Sequence, residues 1–238
     1  MVHFDIPEAH VYILAVSEQT EHFAKNALDA EQMKEFERYV SLPARYMAIG
    51  SFFLKKFMLE NIGARYEEIT YNEWNRPCID NIDFNVSHDS GIVVGTVSTV
   101  AKCSIGIDTM KIGRLHYWSG NWLEEYEIVL TDEEQRQIRA AGNASAQYEA
   151  FFTIWTLKEA YSKALGQGMS INFKSVRCSL DPLKISITDK DLPLPRTIEV
   201  QHHKDHVISI VSLTEVAPVI HDPMTIEDLI TTTTWQDE

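Results

Sequence analysis

The sequence predicts an α+β protein built from two similar halves. The segment order strand, helices, strands occurs twice along the 238 residues, and no Pro- or Gly-rich linker separates the two occurrences. An apolar composition of 45% is enough to bury one large core or two modest ones that share an interface. We expect halves at 1–101 and 102–220 that pack closely, followed by a peripheral tail at 221–238.

The N-terminal half begins with a strand, because VYILAV at 11–16 is rich in β-branched and aromatic residues. The apolar spacing from 29 to 61 is helical in two runs, and the Ser and Pro of the 41–43 segment mark the start of the second. Two short strands follow within 82–99. The tight turn at 89–91 joins them, so this segment predicts a hairpin.

The C-terminal half repeats this order. Residues 103–110 form an apolar strand run that ends near a carboxylate. Thr131 and Glu134 make the T-x-x-E capping box of a helix, and bulky side chains between 148 and 165 predict a second helix that stops at Gly166. The last predicted strands are 174–180, 197–201 and 206–213.

Charge, hydropathy and cysteine usage exclude several classes of protein. The formal net charge of -14 argues against nucleic-acid binding, which needs a surplus of Lys and Arg over one face. The sequence has neither an apolar run of about eighteen residues nor a signal-peptide pattern at its start, so we expect a cytoplasmic protein without membrane contact. Cys78, Cys103 and Cys178 are odd in number and widely spaced, which predicts reduced packing residues.

Two carboxylates are candidates for a metal site. Asp108 follows a short apolar strand run, in which Gly106 lacks a side chain where another group can approach the backbone. Glu159 lies in the predicted apolar helix, where a carboxylate is rarely buried unless it is paired or binds a metal. Two carboxylates from different elements suit Mg²⁺. The alternatives are a surface pair of Glu159 with Lys163 and a plain turn position for Asp108.

Other polar residues are weaker candidates for anion binding. Ser87 and His88 end a strand at a turn, where hydroxyl, imidazole and backbone N–H groups can meet an anion. Arg76 and Pro77 hold the chain extended and present a guanidinium, which matches phosphate well. A lone His at a turn is more often simply solvated. The same holds for most basic residues of the first helices, which are Lys34, Arg38, Arg45, Lys55 and Lys56.

Four motifs, taken in order, resemble a known family. They are N-R-P at 75–77, F-N-V-S-H at 84–88, G-I-D-T-M at 106–110 and F-F-T-I-W-T-L-K-E-A-Y-S-K at 151–163. They are similar to motifs of the 4′-phosphopantetheinyl transferases of the monomeric surfactin-synthetase-activating type. The resemblance covers most of the chain, and the shared order of all four motifs makes coincidence a poor explanation.

The resemblance implies a fold, a reaction and a set of ligands. Members of this family fold as two similar α+β halves with the active site in the cleft between them. They transfer the phosphopantetheine arm of coenzyme A to a serine of an apo carrier domain, with Mg²⁺, and release adenosine 3′,5′-bisphosphate. We therefore expect a monomer whose partners are coenzyme A and an acyl or peptidyl carrier domain, or aminoadipate reductase.

The resemblance also implies roles for individual residues. Asp108 and Glu159 would hold Mg²⁺, with Glu159 also a candidate general base, while Lys158 and Lys163 would contact phosphate oxygens. Catalysis is expected from Asp108, Glu159 and Lys163. The 3′-phosphate would be held by Ser87, His88 and Arg76, with help from Lys34 and Arg45. The full set of expected coenzyme A contacts is Lys34, Arg45, Asn75, Arg76, Pro77, Asn85, Ser87, His88, Asp108, Lys158, Glu159 and Lys163.

Two positions depart from the family pattern. Met110 stands where many bacterial members have a third carboxylate, and this D-x-M form resembles the animal and fungal members. Asn75 stands where glycine usually precedes the basic residue and proline. Alternative functions are a non-catalytic module that binds coenzyme A or a carrier domain, and a Mg²⁺-dependent phosphohydrolase. Tyr117, Trp118 and Trp122 are candidates either for carrier docking or for capping the core.

Overall fold

The computed structural model describes residues 7–98, 104–113 and 122–232. The strands are β1 (Glu8–Ala15), β2 (Thr70–Tyr71), β3 (Pro77–Cys78), β4 (Asp83–Asp89), β5 (Ile92–Ser98), β6 (Ile105–Lys111), β7 (Val176–Leu180), β8 (Leu183–Ile187), β9 (Thr197–His203), β10 (His206–Ser212), β11 (Ala217–Ile220) and β12 (Met224–Thr225). The helices are α1 (Gln19–Ala27), α2 (Ala30–Glu37), α3 (Leu42–Asn61), α4 (Asp132–Ala140), α5 (Ala144–Leu165) and α6 (Ile226–Thr232). None of the helices in these ranges combines the length and apolar character that crossing a bilayer requires.

Two sheets repeat one topology. In the first, β1 pairs with β5 and β5 with β4, so the first strand of the half lies beside its last. In the second, β6 pairs with β10 and β10 with β9, in the same order. Each half places a long helix, α3 or α5, between its first strand and its hairpin. The predicted fold class, α+β with two similar halves, is confirmed.

The layers run helix, sheet, sheet, helix. Successive residues of a strand face opposite sides, so each sheet contributes to two apolar layers. α3 packs on the outer face of the first sheet, and α5 packs on the outer face of the second. The inner faces meet in a third layer that includes Val11, Ile13, Val94, Ile107 and Ile208. Burying one such side chain fully contributes about 1.5–3 kcal/mol to the stability of the fold. Because both sheets supply side chains to this layer, the two halves share a core.

Local sequence signals agree with most elements. Thr131 caps α4 with both hydrogen bonds of the predicted capping box to Glu134. Gly166 ends α5 with a φ of 75°, the left-handed conformation that glycine adopts without strain. The predicted turn at 89–91 joins β4 and β5. Helix α1, with nine residues, and strand β8, with five, were not predicted, because short segments give a weak sequence signal.

The C-terminal segment corrects the predicted domain limits. β11 pairs in parallel with β1 of the N-terminal half, and β12 continues along the same strand. Ile226 and Leu229 of α6 are buried in the core beneath α3. The prediction of a peripheral tail is therefore wrong for 221–232. Residues 233–238 and the predicted boundary at 101–102 lie outside the described residues.

The cysteines within these ranges carry free thiols, as the sequence predicted. Cys78 is half-buried, and Cys178 is buried in the C-terminal core. Burial raises the pKa of the Cys178 thiol to about 12, so this thiol is protonated and inert at neutral pH. Cys103 lies outside the described residues.

Candidate active site

Asp108 lies where strand β6 crosses helix α5. A Cβ atom on Gly106 would collide with the carbonyl oxygen of Ala160 and lie 2.5 Å from the backbone nitrogen of Ala164. Only glycine therefore allows α5 to pack this closely on β6. Residues two apart on a strand share a face, so the buried Asp108 also faces α5. The prediction that Gly106 makes room for a neighbouring group is confirmed, and that neighbour is the predicted site helix.

Lys163 is the ion-pair partner of Asp108. Its Nζ donates to Oδ1 of Asp108 at 2.7 Å and to the carbonyl oxygen of Ile107 at 3.2 Å. Within the described part of the chain no ion pair joins Lys163 to Glu159, so the alternative of a surface pair along the helix is wrong. The ammonium crosses to β6 because a buried carboxylate there needs a counter-charge. A quarter of the Lys163 side chain remains exposed, so the cation stands at the edge of the site.

Glu159 lies close enough to Asp108 to sense its charge. Burial, and then the negative charge of Asp108, raise the pKa of Glu159, while Lys163 partly offsets the rise. Its carboxylate makes no hydrogen bond or ion pair with the residues that the structure describes. The site therefore holds two neighbouring carboxylates and one ammonium.

This donor set fits a divalent cation. Oδ1 of Asp108 receives hydrogen bonds from Ser87 and Lys163, while Oδ2 receives none from the described residues. One or two protein carboxylates, completed by water and phosphate oxygens, are the usual ligands of Mg²⁺. Over the described ranges, no cluster of three or more His, Cys, Asp or Glu side chains is placed to hold a metal. Met110 instead packs, half-buried, against the C-terminal core.

Ser87 faces Asp108. Its Oγ donates to Oδ1 of Asp108 at 2.7 Å, and the residue is 7% exposed. The predicted contact of Ser87 with the 3′-phosphate stays a prediction, and in this structure its hydroxyl donates to the carboxylate and its side chain is buried. His88, the next residue, lines a cavity on the other side of the strand.

Alternate polar side chains of β4 lie along the free edge of β6. Three of their oxygens accept hydrogen bonds from β6 or its first flanking residue: Asp83 from Ser104 N–H at 3.1 Å, Asn85 from Ile107 N–H at 3.0 Å and Asp89 from Lys111 N–H at 2.7 Å. Asn85 is 7% exposed. Its predicted contact with coenzyme A stays a prediction, and in this structure the side chain is buried against the β6 backbone.

Arg76 faces the end of α5. Its guanidinium donates to the carbonyl oxygens of Ala164 and Ile105, at 3.4 Å each, and lies 3.7 Å from Asp83. The last carbonyls of a helix lack partners within the helix, so the arginine caps α5 from the other half of the protein. The predicted contact of Arg76 with the 3′-phosphate stays a prediction, and in this structure the guanidinium contacts protein groups.

Asn75 and Pro77 shape the loop on either side of this arginine. The φ of Asn75 is 58°, in the left-handed region that favours glycine and tolerates asparagine. This backbone conformation explains why the family pattern has glycine at this position and why asparagine can replace it here. Pro77 begins β3 and pairs with Tyr71. Their contacts with coenzyme A stay predictions.

The Lys158 side chain is fully buried, and its ammonium binds protein groups. It is 0% exposed, pairs with Oε2 of Glu134 at 2.9 Å and donates to the carbonyl oxygens of Val129, Phe173 and Val176 at 3.1, 2.8 and 2.6 Å. An ammonium has three protons, and these four acceptors use all of them. The prediction that Lys158 contacts phosphate is wrong, because the side chain points into the C-terminal core. Helix periodicity did not reveal the burial of Lys158, because periodicity identifies which residues share a helix face but not what that face packs against.

A cavity of about 970 Å³ opens beside His88. Its wall includes Arg38, Ser51, Lys55 and Tyr66. Burial lowers the pKa of Lys55, and the Ser51 hydroxyl is buried with no hydrogen-bond partner among the described residues. Loss of solvent around the ring, and then the charge of Lys163, lower the pKa of His88. The cavity joins cations and aromatic rings, which suit an anionic nucleotide, and its lining also includes the carboxylates of Glu18, Glu35 and Asp89.

The cations of this wall differ from those predicted to help hold the 3′-phosphate. Arg38 and Lys55 line the cavity. Lys34 is exposed on α2, and Arg45 lies 3.5 Å from Glu21, so neither forms part of the wall. The signal that could have found Lys55 is its spacing on α3, since positions 44, 48, 51 and 55 share one helix face.

Trp122 packs at 5.4 and 5.2 Å, between ring centroids, on Tyr148 and Phe151. This contact supports its role in capping the core. Tyr117 and Trp118 lie outside the described residues.

Comparison with known proteins gives matches in one family. Residues 104–211 match the model of the 4′-phosphopantetheinyl transferase superfamily. A 4′-phosphopantetheinyl transferase, gsp, of Aneurinibacillus migulanus is 28% identical over 65% of this chain and 62% of its own length. The L-aminoadipate-semialdehyde dehydrogenase-phosphopantetheinyl transferase of Schizosaccharomyces pombe is 26% identical over 72% of this chain and 71% of its own length.

Among solved structures, the holo-[acyl-carrier-protein] synthase of Thermotoga maritima shares 22% identity, with a TM-score of 0.38, over 48% of this chain and 64% of its own. The chain spans less than two thirds of the length of the Aneurinibacillus relative. The family match and the relatives confirm the resemblance seen in the motifs, and residues 104–211 are similar to the 4′-phosphopantetheinyl transferase superfamily.

Proposed function

We propose that this protein transfers the phosphopantetheine arm of coenzyme A to a serine of an apo carrier domain. The serine oxygen bonds to the β-phosphorus, the bridging P–O bond of the pyrophosphate breaks, and adenosine 3′,5′-bisphosphate leaves. The serine proton passes to a base on the enzyme. The observation that carries this proposal is the pairing of Asp108 and Glu159, from separate elements, in a segment that matches this superfamily.

The residues of the site suit such a transfer, which depends on positioning and charge neutralisation. Mg²⁺ held by Asp108 and Glu159 would neutralise charge on the pyrophosphate oxygens. Lys163 places a positive charge at the edge of the same site, where it can meet the departing phosphate. Glu159 is the proposed base, since its carboxylate makes no hydrogen bond or ion pair with the described residues and is therefore available to a nearby hydroxyl group.

The cavity beside His88 is the proposed site for the nucleotide end of coenzyme A. Lys55 lines this cavity, whereas its neighbour Lys56 lies 3.8 Å from Glu60 and is absent from the wall. Lys55→Gln should therefore raise the KM for coenzyme A about tenfold, since a charge-assisted hydrogen bond contributes about 1.5–3 kcal/mol. The control Lys56→Gln should leave that KM within twofold of wild type, which steady-state kinetics measures. Equal effects of the two variants would contradict this placement.

The carrier is proposed to be an aminoadipate reductase or an acyl or peptidyl carrier domain, in line with the names of the relatives. Carrier domains of this kind are acidic, and the net charge of this chain is -14. Long-range attraction therefore does not bring the partners together, and docking must depend on local contacts. Both carboxylates and both sheets belong to one chain, which supports a monomer as the active form.

The test is direct. Purified protein is incubated with coenzyme A, Mg²⁺ and several apo carrier domains, and intact mass is measured for each carrier. We expect a gain equal to one phosphopantetheine arm on at least one carrier and on its conserved serine. Bisphosphate release without a carrier would identify a phosphohydrolase. Coenzyme A binding that is independent of Mg²⁺, with no mass gain on any carrier, would identify a binding module.

A further inference from the structure

We propose that Ser87 is a positioning residue that fixes the orientation of the Asp108 carboxylate for a divalent cation. The inference rests on the proposed function, because that function gives the cation its role. The geometry behind the inference consists of contacts between β4 and β6. It also gives the F-N-V-S-H motif a structural role that differs from ligand binding.

The free edge of β6 is the basis of this inference. β10 pairs with one edge of β6, and the two sheets share no backbone pairing along the other. Side chains satisfy that second edge instead. Asn85 and Asp89 accept from the backbone N–H groups of Ile107 and Lys111, and Arg76 donates to the carbonyl oxygen of Ile105. Polar groups buried at a sheet edge need such partners.

This arrangement sets the position of Ser87. Residues 83, 85, 87 and 89 share one face of β4, because strand residues two apart point the same way. Asn85 and Asp89, on either side of Ser87, are anchored to β6 at 3.0 and 2.7 Å. A shift of β4 by one residue relative to β6 would break the hydrogen bonds of Asn85 and Asp89, and it would also turn the Ser87 side chain away from Asp108. Ser87 is therefore held opposite Asp108 by contacts that do not involve Asp108.

The hydroxyl then defines how the carboxylate lies. Ser87 Oγ and Lys163 Nζ both donate to Oδ1, at 2.7 Å each. Lysine has a long flexible stem, whereas the serine hydroxyl sits on one rotatable bond of an anchored strand, so Ser87 contributes most of the orientation. Binding Oδ1 in this way leaves Oδ2 as the oxygen available to a cation. Glu159, whose pKa is raised by burial and then by the charge of Asp108, is the second proposed ligand.

The test measures Mn²⁺ binding directly, by the electron paramagnetic resonance signal of free Mn²⁺, with and without coenzyme A. Removing a group that orients a metal-binding carboxylate typically costs about 10- to 100-fold in affinity, so Ser87→Ala should weaken Mn²⁺ binding by about that factor. Ser87→Thr keeps the hydroxyl on a residue suited to a strand, and should restore most of the affinity.

The matched control is Ser98→Ala on the neighbouring strand β5. Ser98 is buried and its Oγ donates to the carbonyl oxygen of Glu8 at 3.0 Å, so the substitution removes a comparable bond away from Asp108. Melting temperatures of all variants report folding. Mn²⁺ affinity of Ser87→Ala within twofold of wild type, or an equal loss in Ser98→Ala, would overturn the inference. So would the absence of any Mn²⁺ binding to the wild-type protein.

The two proposals fail separately. If the wild-type protein modifies a carrier while Ser87→Ala binds Mn²⁺ normally, the positioning role is wrong and the transferase function stands. If no carrier is modified while Ser87→Ala still loses Mn²⁺ affinity, the transferase function is wrong and the positioning role stands.

Discussion

Lys158 gives the sharpest stability prediction, because structure and family resemblance assign it different roles. Replacing it with methionine keeps the apolar stem and removes the ammonium. Glu134, which is 0% exposed, would then lose its counter-charge at 2.9 Å, and three carbonyl oxygens would lose their donor. Breaking a buried ion pair on one side costs about 3–5 kcal/mol. For a protein of this size that corresponds to a fall in Tm of roughly 6–20 °C.

Urea denaturation followed by tryptophan fluorescence measures this change in the free energy of unfolding. Lys174→Met is the control, since Lys174 is exposed and surface substitutions usually stay within about 0.5 kcal/mol. Glu134→Gln combined with Lys158→Met should be less destabilised than the sum of the single variants, because the double variant leaves no charge unpaired.

Coenzyme A affinity decides between the two roles. The folded fraction of Lys158→Met should bind coenzyme A within about threefold of wild type, because the side chain lies in the core and away from any ligand. A variant that kept its stability within about 1 kcal/mol of wild type but lost coenzyme A binding would refute the reasoning.

Three further predictions follow. Gly106→Ala should destabilise the protein by about 1–3 kcal/mol or more, because its Cβ would overlap the carbonyl oxygen of Ala160. Gly113→Ala is the control in urea denaturation, since a Cβ there meets no atom of the described residues within 4 Å. Glu159→Gln should raise the Tm at neutral pH, because the raised pKa of Glu159 means that its ionised form destabilises the folded protein. The stability that the protonated form contributes is fully present below the ordinary pKa and is lost as pH rises through the raised pKa. The gain in Tm from the substitution should therefore shrink on acidification. The lowered pKa of His88 predicts that adenosine 3′,5′-bisphosphate binds more tightly as pH falls through that value, and His88→Gln should remove this dependence in calorimetric titrations.

Much of the fold could be predicted because its signals are local. The capping box at Thr131, the turn at 89–91 and the stop at Gly166 each depend on residues within one turn of chain, and all three are confirmed. The return of α6 to the N-terminal core could not be predicted in this way. That packing depends on a contact between the two ends of the chain, and a seven-residue helix has too few apolar positions to predict where it packs.

The candidate site shows the same division. Glycine before an aspartate on a strand predicted a close approach, and the structure supplies α5 at that point. Lys158, Asn85 and Arg76 were instead expected to contact coenzyme A, and each is committed to protein groups. Polar motif residues can bind a ligand or satisfy buried backbone, and the sequence does not distinguish these two uses, because both favour the same donors and acceptors.

The central claim is that Asp108 and Glu159 hold a cation that drives transfer to the carrier. The most direct measurement is the initial rate of carrier modification, by intact mass, for Glu159→Gln across a range of Mg²⁺ concentrations. Glu149→Gln is the matched control on the same helix, where Glu149 is exposed and lies 3.2 Å from His202. We predict a rate at least about a hundredfold below wild type for Glu159→Gln, with the control unchanged. A rate near that of wild type for Glu159→Gln at every Mg²⁺ concentration would contradict the account.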